Sequence, residues 1–194
     1  MRKTNYKILS VISNRISSYY MNGEPLTDDE LYPLFEAARW APSSYNGQLW
    51  RFIIARRQES KQFTKFLNLL VKANQAWAKN AGALVVVISR QNFENNNQPS
   101  RTHTFDAGAA WENLAIEGCA RGLVVHGMEG FDYTKAQKIL NIPSEFSVMC
   151  MIAIGKIDES KIKLEKPEMS GRRPLHEIVF AGEYGKSIKE LHDR

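Results

Sequence analysis

The densest run of chemically capable residues is Ala41-Pro42-Ser43-Ser44-Tyr45-Asn46-Gly47-Gln48-Leu49-Trp50. Its two serine hydroxyls, two carboxamides and free backbone N–H groups offer a hydrogen-bonding surface suited to a polar heterocycle. The same Pro, Ser, Asn and Gly also make an ordinary turn. Other chemistries leave spacing signatures that this chain lacks. His103, His126, His176 and His192 share no metal-ligand spacing, so no metal site is expected. There is no H-E-x-x-H, no G-x-S-x-G, no G-x-G-x-x-G after a strand and no G-x-x-x-x-G-K-[ST] loop. Cys119 and Cys150 stand far apart among small or apolar neighbours and read as small packed hydrophobes in a reduced, cytoplasmic protein.

Hydrophobic periodicity gives the elements that must position these groups. Ile8, Leu9, Ile12 and Ile16 predict a helix over 6–18. Thr27 with Glu30 forms a capping box for a helix carrying Leu31, Leu34, Phe35 and Ala38, which Pro42 must end. A strand over 50–55 follows, then a single helical stretch over 60–79 and an apolar strand over 83–89. The Asn-rich segment 91–102 is a loop by turn chemistry. A long helix over 104–120 begins with Ala107, Gly108, Ala109 and Ala110 and ends at Gly122. A short strand over 123–126 leads into the turn 127–131, Asp132 caps a helix over 133–140, and 147–157 is the last strand. The tail from 161 shows no helix until 186 and is expected to wrap over the body or a partner subunit. The whole of 1–194 reads as one α and β domain.

Composition removes several classes. The chain has 194 residues, 43% hydrophobic and 24% charged, which excludes a disordered protein. Lys and Arg number 26 against 21 Asp and Glu, a net charge of +5. The richest basic stretch, 156–166, is interleaved with Asp158, Glu159 and Glu165, so it reads as a solvated face or linker and not as a nucleic-acid stripe. The surplus can instead serve a small anion such as a phosphate group. The longest apolar run, 148–154, is far short of the ~18 residues a membrane helix needs, and no signal-peptide core follows the N-terminus. No nucleic acid and no membrane are expected as partners.

Six segments, in order, resemble the FMN-dependent nitroreductase family over nearly the whole length. They are Arg15-Ile16-Ser17 with Gly23-Glu24-Pro25-Leu26; Glu36-Ala37-Ala38-Arg39-Trp40-Ala41-Pro42-Ser43-Ser44 with Asn46, Gln48 and Trp50; Asn74-Gln75; Asp106-Ala107-Gly108-Ala109-Ala110 with Asn113-Leu114; Glu129-Gly130-Phe131-Asp132; and Arg172-Arg173-Pro174-Leu175. The resemblance implies an α+β fold, a nitroreductase-like three-layer α/β/α sandwich with a central mixed, mainly antiparallel sheet. It implies a homodimer with FMN at the interface. Arg15 and Ser17 would hold the FMN phosphate and ribityl chain, with Arg172 and Arg173 reaching the phosphate through paired charge-assisted hydrogen bonds. Pro42, Ser43, Ser44, Asn46 and Gln48 would line the ring and ribityl chain, and Asn74 its pyrimidine edge. The turn Gly127-Met128-Glu129-Gly130 would cover one ring face through its backbone.

The implied reaction is ping-pong: NADH or NADPH gives a hydride to flavin N5 and a small electron acceptor, nitroaromatic or quinone-like, then takes the electrons. No catalytic side chain is required. The resemblance leaves open a flavin-binding protein without turnover, or a member acting by dehalogenation or dehydrogenation. Tyr19, Trp77 and Ser170 stand where members often carry a cation, and Leu49 where Pro is usual. A cation near the ring stabilises reduced flavin, so these positions predict either a weaker electron sink or a substitute cation such as Arg15. Tyr19 and Trp77 also add aromatic surface for flat substrates. The short loop 91–102 stands where larger members carry a covering excursion, which predicts an open pocket.

Overall fold

Thr27 and Glu30 make reciprocal bonds: the Glu30 N–H donates to Thr27 Oγ1 at 3.3 Å and the Thr27 N–H to Glu30 Oε2 at 2.8 Å. This box opens α2 (Asp28–Arg39), which presents Leu31, Leu34 and Ala38 to the core. The computed structural model describes residues 2, 4–165 and 169–191. Lys166, the end of the basic stretch, and His192 lie outside the described residues.

The sheet consists of β1 (Trp50–Arg56), β2 (Ala83–Arg90), β3 (Leu123–Met128) and β4 (Phe146–Lys156) in the order β1-β2-β4-β3. Every pairing among them is antiparallel, so the described strands contain none of the parallel pairing that a mixed sheet would have. β2 is buried on both faces, which is why its sequence is a continuous apolar run. Leu84, Val86 and Ile88 pack with Phe63, Phe66, Leu70, Ala136 and Met151 on one side. Ala83, Val85 and Val87 pack with Leu31, Leu34, Leu114, Val125 and Ile152 on the other. Helices α3 (Ser60–Leu67), α4 (Lys72–Ala78) and α6 (Tyr133–Ile139) belong to the first side, and α2 and α5 (His103–Ala120) to the second. The result is a three-layer α/β/α sandwich.

Three expectations are corrected. The helix predicted over 6–18 is only one turn, α1 (Ser10–Asn14), because Ile8, Leu9 and Ile12 are exposed and their side chains find no core to extend it. The stretch 60–79 is two helices: Leu69 and Leu70 turn into the core, Leu70 bridges Phe131, and the Asp132 N–H donates to the Leu69 carbonyl at 2.9 Å. The tail carries a helix before 186, α7 (Glu159–Glu165), whose start is held by Asp158 Oδ1 accepting from the Lys161 N–H at 3.3 Å. Gly122 ends α5 in the left-handed region, φ +73°, as its position predicts.

Candidate functional site

After α1 the chain turns extended at Arg15 and runs back along β3. His126 Nδ1 on β3 donates to the Ser18 carbonyl at 3.0 Å, and Met21 bridges Ile157. Arg15 Nη1 donates to Ser17 Oγ at 3.3 Å, and its Nε lies 4.0 Å from Glu112 Oε1 on α5. The tail brings its arginines to the same place: Arg15, Arg172 and Arg173 all line one cavity of about 990 Å³, together with Ser170 and Glu112. Arg172 donates locally to Ser170 Oγ at 3.2 Å and the Gly171 carbonyl at 2.9 Å, while Arg173 lies 3.5 Å from Glu177.

A second group is built by the break between α3 and α4. The Val71 N–H donates to the Gly130 carbonyl at 3.0 Å, and Asn74 Nδ2 donates to the same oxygen at 3.1 Å. Asn74 is thereby pinned beside the turn that leaves β3. A Cβ on Gly130 would lie 2.8 Å from Asn74 Nδ2, so the turn has room for no side chain there. Met128 is buried in the core at 4% exposure, and Glu129 is exposed.

Two of the positions singled out in the sequence, Tyr19 and Trp77, come together with His126 on β3, while Ser170 lines the arginine cavity. The rings of Tyr19, Trp77 and His126 form a cluster with centroids 4.5 to 5.1 Å apart. Burial, reinforced by the charge of Arg15, pushes the His126 pKa below the usual value against the Ser18 hydrogen bond, so His126 is neutral and adds no cation. The three rings themselves carry no charge, and the charge of Arg15 is felt at His126.

The loop of Pro42 to Gln48 is held rigidly but elsewhere. Ser43 Oγ accepts from the Gln48 N–H at 3.1 Å, the Ser44 N–H donates to Asp106 Oδ2 at 3.0 Å, and Gln48 Nε2 donates to Asn46 Oδ1 at 3.0 Å. Tyr45, Asn46 and Gln48 have φ of 51°, 52° and 46°, a concentration of left-handed non-glycine residues that folding alone does not favour. Tyr45 is 92% exposed, its ring resting on the edge of Phe93 at 5.7 Å. The loop enters β1 at the same end of the sheet where β3 leaves for Gly130. The two strands are opposite edges, three inter-strand spacings or about 14 Å apart. None of the loop residues lines the arginine cavity. One chain thus unites Arg15, Ser17, Arg172 and Arg173, sets Asn74 against Gly130, and keeps Pro42, Ser43, Ser44, Asn46 and Gln48 apart from both.

The sequence reading missed Asp106 as the anchor of this loop. It is buried at 4% exposure, and an acid in the first turn of a helix already has an ordinary explanation in the helix dipole. His103 is tied to strand β2, its Nδ1 3.2 Å from Ser89 Oγ. Burial raises the Cys119 thiol and pushes Cys150 up to about 11, so neither is an activated nucleophile. Among the described residues no group of three His, Cys, Asp or Glu could hold a metal ion, and no helix is long and apolar enough to cross a membrane.

A sandwich of this order, with its polar turns gathered at one end of the sheet, is the nitroreductase-like α+β fold. The chain belongs to the nitroreductase family, whose model matches residues 12–156. A crystal structure described as an oxidoreductase containing FMN superposes with a TM-score of 0.88 at 36% identity, covering 96% of this chain and 97% of that one. Protein DrgA of Synechocystis is 26% identical over 88% of this chain and 93% of its own. The oxygen-insensitive NADPH nitroreductase of Helicobacter acinonychis is 26% identical over 73% of this chain and 83% of its own.

Proposed function

We propose that this protein is an FMN-dependent NAD(P)H oxidoreductase that reduces small acceptors of the nitroaromatic or quinone type. The observation that carries the reading is the meeting of Arg15, Arg172 and Arg173 in one cavity, with Ser17 hydrogen-bonded to Arg15. The donor set fits the cofactor. Arginine forks suit a phosphate, and the Asn74 carboxamide, seated against Gly130 where a Cβ would stand, suits a pyrimidine edge. FMN, when bound, supplies the redox chemistry, accepting electrons from a nicotinamide and passing them to the acceptor.

The chain's own work is positional. Arg15, Arg172 and Arg173 hold the phosphate end, Ser17 the ribityl hydroxyls, and Asn74 with the backbone of 128–130 the ring. No side chain is assigned as acid or base among the described residues, and none is needed for hydride chemistry on a cofactor. The remaining half of the site, Pro42 to Gln48, is rigid and strained but distant in its own chain, which supports its being offered to the cofactor of a second copy. Exposed Leu9, Trp40 and Phe105 support a homodimer in the same way. The free thiols favour a cytoplasmic setting.

The test is an anaerobic absorbance titration of the purified protein with NADH and then NADPH, the released cofactor being identified. Bound FMN that bleaches with a nicotinamide and recovers on adding a quinone or nitro compound is the expected result. A protein that takes up no FMN would overturn the reading. A second reading, a flavin-binding protein that does not turn over, is favoured by the aromatic cluster at Tyr19 and Trp77 in place of cations. Bound FMN that no nicotinamide bleaches would select it.

A further inference from the structure

The arginine cavity has a member that no motif announces. Arg2, on the N-terminal arm, lines it beside Arg15, Arg172 and Arg173. Its Nη1 donates to the Arg15 carbonyl at 2.7 Å and to the Ser13 carbonyl at 3.2 Å, which straps the arm onto the end of α1. Its Nε is buried without a hydrogen-bond partner. We propose that Arg2 is a further guanidinium of the phosphate site, closing it from the N-terminal side and making the protein select a phosphorylated flavin over its dephosphorylated form. The inference rests on the FMN reading above and deepens it.

The charge inventory carries the argument. Arg15 has Glu112 at 4.0 Å and Arg173 has Glu177 at 3.5 Å. Arg2 and Arg172 are paired with no carboxylate among the described residues. Burial, and then the nearby charges of Arg172 and Arg15, lower the pKa of Arg2. Like charges gathered around a cavity are unfavourable until an anion enters. Two guanidiniums without counter-charge match the roughly two negative charges of a phosphomonoester. Arg2 also fixes the backbone of Arg15, so it orients one phosphate contact while supplying another.

The test compares binding of FMN and riboflavin to the full-length apoprotein by flavin fluorescence quenching, for wild type, Arg2→Ala and Arg2→Lys. Loss of a charge-assisted bond to phosphate is expected to weaken FMN about tenfold or more in Arg2→Ala while leaving riboflavin within about twofold of wild type. Arg2→Lys is expected to recover part of the loss, since it keeps the charge without the fork. Equal weakening of both flavins would show a merely structural strap, and no weakening of FMN would show no contact; either overturns the inference. A melting series with inorganic phosphate separates it from the parent reading. If wild type binds no flavin, the proposed function falls, but a phosphate-induced rise in Tm seen in wild type and lost in Arg2→Ala still upholds Arg2 as an anion residue. A rise of the same size in both proteins, or in neither, overturns it.

Discussion

Asn74 Nδ2 and the Gly130 carbonyl, 56 residues apart in sequence, meet at 3.1 Å and join the start of α4 to the exit of β3. The Asn74 side chain therefore both shapes the turn and stands where the ring of a flavin is proposed to lie. Asn74→Ala is expected to lower stability by about 1 kcal/mol, the usual worth of a hydrogen bond, and to weaken FMN and riboflavin by similar factors. Urea denaturation and parallel flavin titrations measure the two effects. A selective loss of FMN alone would contradict the placement of Asn74 at the ring end.

Asp106→Ala removes the acceptor that holds the Ser44 N–H at 3.0 Å and Thr102 Oγ1 at 3.4 Å. Leaving such groups unsatisfied costs about 1–3 kcal/mol. The loop 42–48 should become the fastest-exchanging segment by amide hydrogen exchange, while protection around Arg15 stays as in wild type. Unchanged exchange at Ser44 would mean that the loop holds its strained backbone without α5.

His126 gives a pH dependence whose sign follows from its lowered pKa. The unfolded chain binds the proton more tightly, with a pKa of about 6.5, than the folded one does. Stability is therefore fully present above about pH 6.5, falls as pH drops from there towards the folded value, and levels off below it. His126→Phe keeps a ring against Tyr19 and Trp77 and should flatten this part of the profile. The check is ΔG of unfolding from urea curves between pH 5 and 8, and an equal slope in the variant would remove His126 as the source.

Tyr19 and Trp77 make an uncharged surface beside the proposed ring site, their centroids 5.1 Å apart. Trp77→Lys adds a cation there and should raise the midpoint potential of bound FMN by roughly 20–40 mV, since about 1.4 kcal/mol corresponds to 30 mV for a two-electron couple. Spectroelectrochemistry of the holoprotein reads the shift. An unmoved potential would place the cluster too far from the ring to tune it.

Gly118 is the point where α5 rests directly on β3. A Cβ there would collide with Val125 Cγ2. Gly118→Ala is expected to destabilise the protein by about 1–3 kcal/mol through overpacking, despite the better helix propensity of Ala. A rise in Tm on thermal melting would mean that α5 can lift away freely.

What was legible in the sequence was what its neighbours in sequence decide. The Thr27–Glu30 box and the apolar run of β2 are local signals, and the structure holds both as read. Asp158 is a cap signal of the same kind that the basic, interrupted tail obscured. The division of α3 from α4 was hidden because Leu69 and Leu70 keep helical spacing, while their backbone is taken by Phe131 and Asp132 some sixty residues on. Asp106 and Arg2 were hidden for the same reason: each acts on a backbone group distant in sequence, and nothing in the text around either residue names that group. The one-turn α1 had true periodicity but an uncovered face.

On the proposed dimer, the assignment of Arg15 and Ser44 to different half-sites has a genetic corollary. A chain whose two half-sites serve different cofactors can be damaged in either half independently. In a mixed dimer of an Arg15→Ala chain with an Asp106→Ala chain, one pocket inherits both lesions and the other neither. Two individually defective alleles would then complement each other when expressed together, restoring up to half of the pockets in each mixed pair, whereas two alleles altered in the same half would not.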